Sequence, residues 1–217
     1  MMTTTSETQR QTMVDSQLKT VGVTDAAVLA AFAATPREPF LPASLAGLAH
    51  ADAAHQIAPG RYLLAPLTLA LLLQHAAVQP GQHVLVVGSA SGYSAAILSR
   101  MGAVVTALDS DDTLIAMARA AGITSVAGPL AAGWPAGAPY DLILFEGAIA
   151  TIPPAMARQL APTGQIAAVL RQAGVGRAYV GPLTTPQSGD ARPAGLPFME
   201  LAAPDLPGFA PVHAFAF

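Results

Sequence analysis

The chain has 217 residues and a formal net charge of −3, and only 11% of its residues are charged, against about 25% in an ordinary soluble protein. Its 53% apolar content, inflated by 47 alanines, excludes a disordered chain, and 19 Gly with 19 Pro in no fixed period exclude a collagen-like one. The absence of cysteine excludes disulfides, thiolate metal ligands and a cysteine nucleophile, while nine dispersed arginines and Lys19 form no basic patch for a nucleic acid.

In chain order, residues 1–12 are polar, rich in Thr and Gln and aperiodic, and they read as a disordered tail. Residues 13–80 follow as a largely helical segment. Within it, Thr24 or Asp25 caps a helix that runs to Ala34 and stops before Pro36. The stretch 39–59 is irregular. It carries His50 and His55, whose five-residue spacing is not that of a helical metal pair, so both are expected as lone surface histidines. The longest apolar run, Tyr62 to Leu73, is interrupted by Pro66 and Thr68; it falls short of the roughly 18 residues of a membrane span. With no secretory leader pattern at the start, a cytoplasmic location is the default expectation. Pro66 suits the first turn of a helix over 67–78.

From residue 81 the pattern becomes an alternation of strands and helices. Strands are expected at 83–87, 103–108, 123–127, 140–145 and 165–170, with helices at 91–101, 111–121 and 153–160. The short strands are almost wholly apolar, as in a sheet covered on both faces. Such an alternation predicts parallel βαβ units, an α/β doubly wound domain over 81–217 that forms one compact unit with 13–80. Further strands are expected at 177–180 and 198–201, with a last edge strand at 213–217.

The first of these strands runs into Gly88-Ser89-Ala90-Ser91-Gly92-Tyr93, which opens a helix. A Gly-rich turn of this kind lets a ligand approach the backbone and meet the N–H groups at a helix N-terminus. Three familiar uses fail on the residues. The phosphate loop lacks its Gly-Lys-Ser/Thr ending, the nucleophile elbow has Ala90 where the serine belongs, and the dinucleotide turn finds Ala90 and Tyr93 at two of its three glycine positions. Glycines at offsets 0 and 4 suit the looser turn of nucleoside-binding methyltransferases. Asp109 ends the second strand 21 residues after Gly88, where a carboxylate accepts both ribose hydroxyls.

Residues 13–18 (Met-Val-Asp-Ser-Gln-Leu), 36–42 (Pro-Arg-Glu-Pro-Phe-Leu-Pro), 84–96 and 140–144 (Tyr-Asp-Leu-Ile-Leu) together resemble the protein-L-isoaspartate O-methyltransferase family in order and spacing, over about residues 13–172. The resemblance implies a Rossmann-like class I methyltransferase fold with a mostly parallel seven-stranded sheet. It also implies S-adenosylmethionine as cofactor and methylation of the α-carboxylate of isoaspartyl residues in damaged proteins. By this resemblance Gly88, Ser89, Ala90, Ser91, Gly92, Tyr93, Asp109 and Glu146 are the candidate cofactor-binding residues.

The chain departs from the family pattern at four positions. Val86 stands where the family has an acidic residue, Ala90 replaces its central glycine, and Gly128-Pro129 takes the place of a Gly-Asp pair. Leu64 stands where the family places a serine at the reaction centre. Methyl transfer to a carboxylate needs alignment of donor and acceptor more than a base, because the acceptor is already ionised at neutral pH. Arg61 has the planar fork to hold such a carboxylate, unless it is an exposed loop arginine. Glu146, at the C-terminal end of an apolar strand, touches the ligand or is an ordinary strand-end charge; Tyr93 covers the nucleoside or packs at the helix start. Three functions are compatible with these residues: a repair methyltransferase, a methyltransferase for another carboxylate, and a non-catalytic binding or scaffold descendant.

Overall fold

The computed structural model describes residues 2–184 and 189–210. It opens with helix α1 (Met2–Met13), which passes through a π-helical turn (Val14–Leu18) and a 3-10 turn (Lys19–Val21) to Gly22 at φ 97°. The expected tail over 1–12 is thus helical over the described residues. It lacks an apolar stripe because side-chain hydrogen bonds fasten it instead: Arg10 Nε donates to the Ala33 carbonyl at 2.6 Å and the Ser6 hydroxyl to Glu38. Buried Met13, Val14 and Leu18 anchor the end of the run.

Helix α2 (Ala26–Ala34) is capped by Asp25, whose carboxylate accepts from the Val28 amide at 2.9 Å. Two 3-10 turns (Glu38–Phe40 and Ala43–Leu48) lead to an antiparallel hairpin of β1 (His55–Ala58) and β2 (Arg61–Leu63). The first strand of this hairpin falls in the stretch 39–59 expected to be irregular, and no strand is expected at the second. Helix α3 (Pro66–Ala76) follows, with Pro66 in its first turn. Its Gln74 side chain accepts from the amides of Thr24 and Asp25 and donates to the Gly22 carbonyl, tying the turn before α2 to α3.

The expected alternation then unfolds as β3 (His83–Val87), α4 (Tyr93–Arg100), β4 (Val104–Asp109), α5 (Asp112–Ala120), β5 (Ser125–Ala127), β6 (Tyr140–Ile149), α6 (Pro154–Ala157) and β7 (Leu160–Gln172). β8 (Val175–Gly181) folds back on β7, two short strands β9 (Leu183–Thr184) and β10 (Arg192–Pro193) pair with each other, and β11 (Met199–Glu200) edges the sheet. The seven-stranded order is β11-β8-β7-β6-β3-β4-β5, with the five central and distal strands parallel and β8 and β11 antiparallel.

Side chains alternate across the pleat. Val84, Val86, Leu142 and Leu144 therefore join the core shared with the N-terminal helices, while Leu85, Val87, Ile143 and Phe145 join a second core on the other face. The strand order reverses between β3 and β6, and open α/β sheets bind ligands at the C-terminal strand ends beside such a reversal. A segment beyond β11 crosses this place: the Ala148 amide donates to the Pro204 carbonyl at 2.7 Å, and the Leu206 amide to the Ala148 carbonyl at 2.8 Å. The expected edge strand at 213–217 lies outside the described residues.

Candidate active site

The turn after β3 hangs from the end of β4, since the amides of Gly88 and Ser89 both donate to the Leu108 carbonyl, at 2.9 and 3.0 Å. Gly88, Ala90 and Gly92 have φ of 72°, 54° and 94°, a left-handed conformation that costs glycine little and strains the alanine. At Gly92 a Cβ would stand 3.0 Å from that of Ala118, so this position needs glycine for helix packing as well. Ser89 and Ser91 are buried, and the Ser91 hydroxyl donates to the Phe40 carbonyl at 2.6 Å.

Asp109 completes the turn. Its Oδ2 accepts from the Ala90 amide at 2.9 Å, and its Oδ1 from the amides of Ser110 at 2.7 Å and Asp111 at 3.0 Å. The carboxylate is fully buried and ion-paired with Arg61, whose Nε lies 3.0 and 3.2 Å from the two oxygens. Arg61 also donates to the Ser110 hydroxyl at 2.7 Å and to the Gly60 carbonyl at 3.1 Å. It is therefore not an exposed loop arginine: it caps the carboxylate expected to hold a ribose.

Glu146 sits where the β6–β7 register slips, the five residues of β6 from Leu144 to Ala148 facing the three of β7 from Ala167 to Val169. Such irregularities re-aim side chains. Here the carboxylate turns inward and accepts from the Leu64 amide at 3.2 Å, while the Leu64 carbonyl accepts from Arg37 Nη2 at 2.7 Å. The two peptide groups that flank the Leu64 Cα are thus each held by a buried ionisable side chain. Burial pushes the Glu146 carboxyl up to about 7; nearby Ser94, the Leu64 amide and Arg37 pull it down, and Asp109 adds to the rise. Burial likewise lowers the Arg37 guanidinium, which lies 4.6 Å from the centre of the Tyr93 ring.

Several expected residues lie elsewhere than the sequence suggested. Tyr93 packs at the start of its helix. It is wholly buried, edge-on to Phe32 and Phe40 and beneath Arg37, because α4 turns its first residue into the core. The Leu64 side chain is buried in that same core, so its backbone rather than its side chain meets the polar groups. His50 and His55 are buried rather than on the surface. His50 Nε2 lies 3.0 Å from Glu38, and burial lowers the His55 imidazole. Among the described residues no cluster of His, Cys, Asp and Glu is suited to a metal.

Three contributors were not singled out as site residues from the sequence. Arg37 lay within the quoted block 36–42, and Ser94 followed the glycine turn. Leu206 carried no local signal. A Cβ on Gly88 would lie 2.5 Å from Leu206 Cδ1, and one on Gly147 2.9 Å from Leu206 Cβ. Leu206 therefore fills the crevice between the ends of β3 and β6. The turn and carboxylate have the chemistry for a nucleoside, but in this arrangement their oxygens are engaged and the space is filled.

A doubly wound seven-stranded sheet with a glycine turn and a carboxylate on adjoining strand ends is the architecture of class I methyltransferases. Residues 8–175 match the family model for protein-L-isoaspartate(D-aspartate) O-methyltransferase. A protein-L-isoaspartate O-methyltransferase of Methylorubrum extorquens (strain PA1) is 43% identical over 163 residues, 72% of each chain, and one of Methylorubrum populi is 37% identical over 167 residues, 74% of this chain and 79% of that one. A solved protein-L-isoaspartate O-methyltransferase superposes with a TM-score of 0.70 at 21% identity, covering 92% of this chain but 65% of its own length. A putative one from Plasmodium falciparum, in complex with S-adenosyl-L-homocysteine, gives 0.72 at 17% identity, covering 91% of this chain and 97% of that one. The chain belongs to the protein-L-isoaspartate (D-aspartate) O-methyltransferase family, whose cofactor is S-adenosylmethionine. Among the described residues no helix is long and apolar enough to cross a membrane.

Proposed function

We propose that this protein is a cytoplasmic S-adenosylmethionine-dependent methyltransferase that esterifies the α-carboxylate of isoaspartyl residues in damaged proteins. The observation that carries the reading is the Gly88–Gly92 turn suspended from β4 with Asp109 at its side, inside a family match that spans residues 8–175. The cofactor supplies an electrophilic methyl group. The acceptor carboxylate is ionised at neutral pH and needs no base, so the work of the chain is placement.

In this reading Asp109 holds the ribose hydroxyls and the turn 88–92, Ser89 and Ser91 included, frames the cofactor. Arg61, on the hairpin next to the site, exchanges Asp109 for the acceptor carboxylate, which suits its planar fork. Arg37 and Glu146 are positioning residues that fix the backbone of Leu64, the position assigned to the family serine, Arg37 at its carbonyl and Glu146 at its amide. Calorimetric titration with S-adenosylhomocysteine, followed by methyl incorporation from labelled S-adenosylmethionine into an isoaspartyl peptide, tests the proposal. Binding and incorporation support it; no binding at millimolar concentration overturns it. Incorporation only into other carboxylates would keep the chemistry and change the substrate.

A second reading, a binding or scaffold protein without turnover, is favoured by the closed Arg61–Asp109 pair and the buried Leu206. It requires that Asp109→Asn leave biological activity intact.

A further inference from the structure

The segment after β11 lies outside the stretch matched to the family, which ends at residue 175, yet it enters the crevice. Its buried residues recur every third position: Ala203, Leu206 and Phe209 point inward, while Asp205, Pro207 and Gly208 are exposed. Leu206 is wedged against Gly88 and Gly147, and Phe209 packs edge-on against Phe145 with ring centres 5.3 Å apart.

We propose that residues 203–209 form a strap that gates the cofactor crevice: Leu206 holds the place of the nucleoside, and binding requires the strap to lift. The inference rests on the methyltransferase reading and adds a regulatory device to it. The fastenings are those of a separable segment rather than of a sheet strand. Ala148 and Asp205 form an isolated parallel bridge. The Phe209 carbonyl accepts from the amides of Ala150 at 2.9 Å and Thr151 at 3.2 Å. From outside the crevice Arg171 clamps the strap, its Nε on Asp205 at 2.8 Å and its Nη2 on the Ala203 carbonyl at 2.6 Å. Among the described residues, three inward side chains, the backbone hydrogen bonds to Ala148, Ala150 and Thr151 and one partly exposed arginine hold the crevice shut.

A ligand that binds only the lifted state has its apparent affinity reduced by the fraction of molecules lifted. The test uses the full chain and S-adenosylhomocysteine as probe, with affinity from calorimetry and opening from hydrogen exchange over 202–209 and 147–151. Loosening the strap with Leu206→Ser is expected to tighten binding roughly tenfold. Arg171→Ala, which removes the outer clamp and leaves the core untouched, moves affinity the same way by less. In the wild-type protein, saturation with the probe is expected to speed exchange in 202–209. Unchanged affinities in both variants, with 202–209 as protected in the complex as in the free protein, would overturn the strap and leave the methyltransferase reading standing. Absence of binding in all three proteins would overturn both.

Discussion

Asp109 accepts from three backbone amides and from Arg61 while wholly buried, so two opposite charges here have left water together. Removing one partner of such a pair leaves the other buried and uncompensated, which costs about 3–5 kcal/mol. Arg61→Met keeps the apolar stem and removes the charge. It is expected to lower unfolding stability toward that range, read from urea denaturation at pH 7. The same variant is expected to bind S-adenosylhomocysteine more tightly, because Asp109 loses its competitor, and to raise the KM for an isoaspartyl peptide, because the acceptor loses its guanidinium. The turn and Asp109 were legible in the sequence because their spacing is local to one βαβ unit. The Arg61 pairing was not, since 48 residues separate the partners and the hairpin that delivers Arg61 carries no alternation long enough to announce itself. Leu206 was hidden for the same reason: only the tertiary path of the chain brings it to Gly88.

Helices with a capping residue were the elements most visible in advance. The α5 cap is one: Asp111 Oδ1 accepts from the amides of Thr113 at 2.9 Å and Leu114 at 3.2 Å. These satisfy two donors that the first turn would otherwise leave without partners. Asp111→Ala is expected to cost about 1 kcal/mol, measurable as a shift of the urea midpoint at unchanged slope. Elements held by long-range side-chain contacts were misread. The tail was in fact α1, fastened to Ala33 and Glu38 by Arg10 and Ser6. The helix expected over 153–160 shrank to Pro154–Ala157 because the Gln159 carbonyl takes the Tyr140 amide at 2.8 Å and starts strand pairing. The Gln159 side chain is meanwhile spent on the carbonyls of Ala132 and Ala155 and the amide of Trp134. Local propensity reads an element's interior; its end is set by what it meets.

At the scale of the whole molecule, the doubly wound sheet followed from the alternation of apolar strands and helices, because two faces must each be covered. The sequence did not disclose that an acid lies inside the assembled core. Glu146, held against Leu64, has its carboxyl raised by burial to about 7, above the usual value of an unfolded glutamate near 4.3. Between these two values the folded protein binds more protons than the unfolded chain. Stability therefore falls as pH rises through that window and levels off above it. A rise of this size corresponds to a loss of up to about 4 kcal/mol. His55 works in the opposite direction: burial lowers its imidazole, so its share of stability is lost as pH falls below the ordinary histidine range. The wild-type profile is thus a sum, and the difference from a variant isolates the acid. Glu146→Gln keeps an oxygen for the Leu64 amide and removes the titration. Urea unfolding of both proteins at pH 5 and pH 8 is expected to show the variant gaining on the wild type as pH rises, and exceeding it at pH 8. A constant difference between the two pH values would mean that Glu146 is ionised throughout and that Arg37, 2.7 Å from the carbonyl of the same Leu64, outweighs its burial.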